Sequence, residues 1–167
     1  MTQTKNKAWR GFAAAVGAGA RLLAAGAAQA ALQDRDLDGN GQVDAFYDTD
    51  LNITWLRYVG ISGGMNWETA VAWAEGFTFA GYSDWRLPSS DQCISYNCTG
   101  SEMGHLWYVE LGNTAGSFTN AGGFLNFFGM HWSGAEFAAN PIGAMFFDFY
   151  GGLQAPQDKS LILTCVQ

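Results

Sequence analysis

The apolar positions of this chain fall in short bursts broken by glycine or polar pairs, a spacing that predicts small elements instead of long helices. Val43 to Asp48 and Leu51 to Arg57 are rich in β-branched and aromatic residues. They flank Thr49-Asp50 and should pair as a hairpin. After the break at Ser62-Gly63-Gly64, Asn66 can cap a helix from Trp67 to Phe77, with Trp67, Ala70, Val71, Ala74 and Phe77 forming one apolar stripe. A second helix is expected from Ser101, its cap, to Gly112, its stop. Three strand-like runs follow the Gly-, Thr- and Ser-rich loop 113–123: Phe124 to Phe128, His131 to Ala138 and Ala144 to Tyr150. Leu161 to Val166 could close the sheet.

Between the two helices lies the stretch around which the rest is organised, Gly81-Tyr82-Ser83-Asp84-Trp85-Arg86-Leu87-Pro88-Ser89-Ser90. Its order reads as turn, buried strand, turn and helix start. Alternation would send Trp85 and Leu87 into one core and Arg86 to the opposite side. A strand covered on both faces would bury the guanidinium, which would then need a carboxylate partner. Glu136 and Asp148 are the expected ones, and Trp85 and Arg86 are therefore read as structural.

Composition changes the picture at the N-terminus. Lys5, Lys7 and Arg10 precede a run of Ala, Gly and Leu, and Ala28-Gln29-Ala30 is a small-x-small cleavage site, so residues 1–30 read as a secretory signal peptide. Arg21 interrupts the run, which is too short for a membrane span. Residues 31–167 are then a single domain, secreted to the periplasm or the extracellular space, with no stable membrane anchor expected after cleavage. It retains Arg35, Arg57, Arg86 and Lys159 against all 15 acids, a net charge of −11. Such a surface disfavours nucleic acid and sulfated polyanions. In an oxidising compartment Cys93 and Cys98 are expected to form a disulfide, the rival being a metal site that lacks further ligands nearby; Cys165 is left over.

The most polar segment starts at Asp36 and follows a calcium loop through nine positions. Asp36, Asp38, Asn40, Gln42 and Asp44 stand at positions 1, 3, 5, 7 and 9, with Gly41 at position 6. Tyr47 stands where the bidentate Glu of an EF-hand belongs. A hairpin turn built on Asn40-Gly41 is the favoured reading, with calcium as the one candidate ion. His105 is read as structural, because no nucleophile or third partner accompanies it.

Several motifs together resemble one family. Gly39-Asn40-Gly41-Gln42-Val43-Asp44 with Thr54-Trp55 is similar to its opening hairpin, and Met65-Asn66-Trp67 to the start of its first helix. Gly81 to Pro88 resembles its signature, and Trp132-Ser133-Gly134-Ala135-Glu136 with Phe147-Asp148-Phe149 its later strands. This is the Lcl C-terminal-like domain family, found in exported bacterial proteins. The resemblance covers residues 34–160 and implies an α+β, C-type-lectin-like fold in which two short helices flank small, twisted, mainly antiparallel sheets. The terminal strand departs from the family pattern, lacking its Trp and Arg.

The resemblance implies a non-catalytic recognition or adhesion module for an extracellular glycan or protein, with Trp132, Glu136 and Asn140 as binding residues. A structural matrix component without a small-molecule site is the alternative. The related fold of formylglycine-generating oxidases is disfavoured: Cys93 and Cys98 sit just after Trp-Arg-Leu-Pro, away from the late strands where that class carries its cysteines.

Overall fold

A computed structural model describes residues 31–165, and the expected signal peptide lies outside them. The architecture is mixed α and β. A three-stranded antiparallel sheet comes first, in the order β1 (Leu32–Arg35), β2 (Ala45–Asp48), β3 (Ile53–Leu56). Helix α1 (Trp67–Gly76) follows. Helix α2 (Glu102–His105) runs directly into a π-helical turn, Leu106–Glu110. The second sheet has the order β6 (Leu153–Asp158), β5 (Gly143–Asp148), β4 (Met130–Glu136), β7 (Thr164–Cys165), and only β7 is parallel to its neighbour.

Both helices start where their caps predict. Asn66 accepts a hydrogen bond from the Thr69 amide, and Ser101 from that of Gly104. Gly112, at φ +62°, ends the second helical segment in the left-handed conformation that glycine tolerates.

The four-stranded sheet is covered on both faces, and β5 shows how. Ala144 and Phe146 join Ala70 and Ala74 of α1, Leu87, Trp132 and Leu163 on one side. Phe147, continued by Phe149, packs on the other side with Met103, Leu106, Trp107, Phe124, Phe127 and the inner residues Phe46 and Trp55 of the first sheet. The Cys93–Cys98 disulfide, with Cα atoms 5.8 Å apart, closes a small loop. That loop is stitched to β6 by two backbone hydrogen bonds between Ser95 and Gln154.

Three expectations are corrected. Phe124–Phe128 is no strand; one isolated bridge, Tyr58 with Leu125, ties it down while Phe124 and Phe127 anchor it in the core. Two polar strands, β1 and β6, occur where no apolar alternation announced them. Residues 83–90 form no strand and belong to no sheet. Pro88 has no amide hydrogen to give a ladder, and the segment docks instead through single bonds, such as Gly134 N–H to Pro88 O at 2.8 Å.

Candidate functional site

Arg86 therefore lies on a rim and not inside a sheet. Leu87 enters the core, Trp85 is half-buried, and the Arg86 side chain keeps 53% exposure. Its partner is Glu102, at the first position of α2: Nη1 donates to Oε2 at 2.8 Å and Nη2 to Oε1 at 2.6 Å. The Ser89 amide donates to the same carboxylate at 2.7 Å. Neither expected partner is engaged. Glu136 accepts from Lys159 at 2.6 Å, and Asp148 accepts from the Tyr150 amide at 2.9 Å. The buried-clamp expectation fails because the segment borders a sheet instead of running through one. Burial raises the Glu102 pKa, but the bonds from Arg86 and Ser89 outweigh it and hold the carboxyl below its usual value; Glu102 in turn raises Arg86.

The two remaining groups of expected site residues fare differently. Trp132 is fully buried, with its indole N–H donating to Met65 O at 3.0 Å, so its ring cannot meet a ligand. Glu136 ends β4, and Asn140 sits in the β4–β5 turn, where its Oδ1 accepts from the Ile142 amide at 3.2 Å. These three form no common site.

The acidic loop does gather: Asp36, Asp38 and Asp44 place carboxylate oxygens within 4.8 Å of one another. Backbone donors already wrap them. Asp36 accepts from the amides of Gly39, Asn40 and Gly41, and Asp44 from those of Leu37 and Asp38. Asn40 accepts from the Gln42 amide. The positive φ expected at Asn40-Gly41 falls on Gly41, at +86°.

A different surface has the shape of a binding site. The outer face of β1–β3 and the 82–88 segment enclose an open cleft of about 670 Å³. Tyr47, Trp55, Tyr82 and Trp85 supply its rings; Trp55 is buried and Tyr82 is 50% exposed. Arg35 lies 4.7 Å over the Tyr47 ring, and the Tyr47 hydroxyl donates to Asn52 at 2.6 Å. The Trp85 indole N–H donates to Tyr82 O at 3.1 Å, and Phe77 packs edge-on against that indole at 6.2 Å. Arg35, Arg86, Asp84 and Glu102 place both signs of charge around the rings. Compared with family models, with characterised proteins and with solved structures, the chain matches none. The cleft must be read from its own chemistry.

Sequence reasoning missed Arg35, Tyr47 and Tyr82 as a group, because β1 was hidden in a polar stretch and the cleft joins segments far apart in the chain. The aromatic content of the Gly81–Pro88 stretch was the one available signal. With Arg86 half-exposed, its ion pair is screened and its removal is expected to cost only about 1 kcal/mol in a urea melt, against the roughly 3–5 kcal/mol expected of a buried clamp. A loss above about 3 kcal/mol for Arg86→Ala would restore the clamp.

Proposed function

We propose that this chain is an exported, non-catalytic recognition module whose cleft between the first sheet and the Tyr82–Pro88 segment takes a neutral or weakly charged glycan. The observation that carries this reading is the cleft's composition. Tyr82 and Trp85 offer aromatic rings, Tyr47 is capped by Arg35, and Asn52, Thr54, Asp84 and the two arginines offer hydrogen-bonding groups beside them. The resemblance to Lcl C-terminal-like domains and to C-type-lectin-like folds points the same way, as does export. The charge of −11 on residues 31–167 and the three acids at the cleft, Asp36, Asp84 and Glu102, favour a neutral ligand over a sulfated one.

The reading is non-catalytic for two reasons. Glu102 is committed to Arg86 and Ser89, which hold it ionised and unsuited to protonating a leaving group. Neither Cys93 nor Cys98 lines the cleft, and both are used up in their disulfide.

Titration with a panel of neutral and sulfated oligosaccharides, followed by calorimetry and by tryptophan fluorescence, tests the proposal. Binding of a neutral glycan is expected, with Trp85→Ala and Tyr82→Ala each weakening it about tenfold or more, as loss of an anchoring ring does. Equal affinity in wild type and Trp85→Ala would move the site elsewhere. Absence of binding across the panel would favour a matrix role without a small-molecule site.

A further inference from the structure

Ala31, the residue that would become the N-terminus after cleavage at Ala28-Gln29-Ala30, is held through both of its backbone groups. The Thr49 amide donates to Ala31 O at 3.1 Å, fixing the residue at the head of β1. Ala31 N then donates to Glu110 Oε2 at 2.5 Å. The Glu110 side chain is only 1% exposed, and its other oxygen meets His105 Nε2 at 3.1 Å. Asp48, wholly buried, lies beside them: one oxygen each from Asp48 and Glu110 and a His105 ring nitrogen fall within 4.8 Å of one another. Asp48 has local donors, the amides of Asp50 and Leu51 and the Trp55 indole. Among the described residues no lysine or arginine pairs with either carboxylate.

Two buried acids with no fixed cation are costly. A peptide amide at Ala31 offers one neutral N–H, whereas a free α-amino group offers three donors and a positive charge. We infer that Asp48 and Glu110 form a receptor for the chain's own new N-terminus, so that removal of the leader completes the fold. Leader removal is a hydrolysis by a signal-peptide protease. Water breaks the Ala30–Ala31 bond, its hydroxyl going to the Ala30 carbonyl carbon and its hydrogen to the Ala31 nitrogen, which takes a further proton from solvent. The resulting ammonium meets Glu110, the carboxylate that already accepts the Ala31 N–H and that lies beside Asp48. This inference rests on the export reading for its source of cleavage, but not on the glycan reading. The segment that places Ala31, β1, also carries Arg35 into the cleft, so processing would set one wall of the binding site.

The test compares chains with defined starts: residues 31–167 with a free amine, the same chain N-acetylated, and one extended by Gln29-Ala30. The free-amine chain is expected to have an unfolding constant about ten- to a hundredfold smaller than the other two, the range of a charged hydrogen bond. In a Glu110→Gln background that difference should collapse, and in the native free-amine chain the α-amine should resist reductive methylation until urea is added. Equal melts for the three chains would overturn the receptor, as would an undiminished difference in Glu110→Gln. A free-amine melt that drops on adding EDTA would assign the cluster to a metal and overturn it too. The source is tested separately, by sequencing the exported product: a start at Ala31 supports it. A different start, or failure to export, overturns the role of processing and, in the second case, the export reading with it.

Discussion

Trp107→Ala is expected to cost about 3–5 kcal/mol in a guanidinium melt, the largest single-residue loss in the molecule. The residue sits in the π-helical turn, fully buried, and among the described residues faces more aromatic neighbours than any other ring. Phe118 stacks on it at 5.6 Å and 18°, Phe127 lies at 6.4 Å, and Phe147 and Phe149 approach at 6.2 and 6.0 Å from the sheet. Its removal would leave a cavity that side chains from three separate segments would all have to close. The indole N–H adds a second, opposite effect: it is buried without a hydrogen-bond partner. Trp107→Phe therefore loses volume but also removes a stranded donor, and should cost no more than about 1–2 kcal/mol. The pair of melts separates packing from polarity. If the Ala and Phe variants were equally damaged, the indole nitrogen would have an unseen role; a loss below about 1 kcal/mol for Ala would mean the aromatic cluster is not what closes the fold. Because the same cluster holds Phe46 and Trp55, from the inner side of the first sheet, Trp107→Ala should also weaken any ligand held on that sheet's outer face.

How much of this was legible in the sequence depended on whether side chains or backbone carried the signal. Helix α1 was readable because Asn66 and the stripe through Ala70 and Ala74 are side-chain patterns. The Cys93–Cys98 bridge was readable from spacing and expected compartment. Strands β1 and β6 were not, since each lies at the edge of its sheet, pairs through main-chain groups and shows no apolar alternation; the buried side chain of β6 is a glutamine, Gln154. Pro156 inside β6 argues against a strand until one sees that the strand has a free edge, where a missing amide hydrogen costs no ladder bond. The segment holding Arg86 misled in the opposite direction. Of its apolar residues only Leu87 joins a core cluster, and the alternation that suggested a strand belongs to a chain that crosses beside β4 and docks on it at Gly134. The cleft depended on that crossing, so neither its existence nor its pairing of Tyr47 with Trp85 could be inferred from neighbouring positions.

A related lesson concerns the aromatic residues first chosen for binding. Trp132 stood in the most recognisable strand motif, yet a tryptophan in a central strand whose faces are both covered has only a core to enter. The rings that remain available to a ligand are those on the rim, where coverage ends. This is a general consequence of placing a sheet between two cores, and it moves the functional expectation from β4 to the surface beside Trp85.

Acidification from about pH 6.5 to pH 4 is expected to remove about 3 kcal/mol of stability through one residue, His131. The ring is 1% exposed, packed edge-on to Phe149 at 5.2 Å, and burial lowers its pKa from 6.5 to about 4, although the bond to Phe128 O opposes the shift. That bond, at 3.0 Å, makes Nε2 the donor of the neutral ring, while the Thr164 hydroxyl lies 3.0 Å from Nδ1 and 3.2 Å from Nε2 and donates to Met130 O at 2.9 Å. Thr164 lies on β7, so the neutral imidazole helps pin the closing strand to β4. Between pH 6.5 and 4 the unfolded chain binds a proton here that the folded chain refuses. Stability is thus fully present above about pH 6.5 and falls as pH drops toward the folded value. Glu102, with its lowered pKa, adds an acid-side loss that begins as the unfolded carboxyl takes up its proton near 4.5, so it overlaps only the acid end of the His131 window. Urea melts at half-unit pH intervals should show a slope approaching about 1.4 kcal/mol per unit in the middle of the window, flattened in His131→Asn whatever that variant's overall stability. The imidazole proton resonance of His131, assigned by its disappearance in the same variant, should not move until the pH approaches 4. A resonance titrating near pH 6.5, or an unchanged slope in His131→Asn, would show that the strand closure tolerates an imidazolium and that the acid sensitivity arises elsewhere.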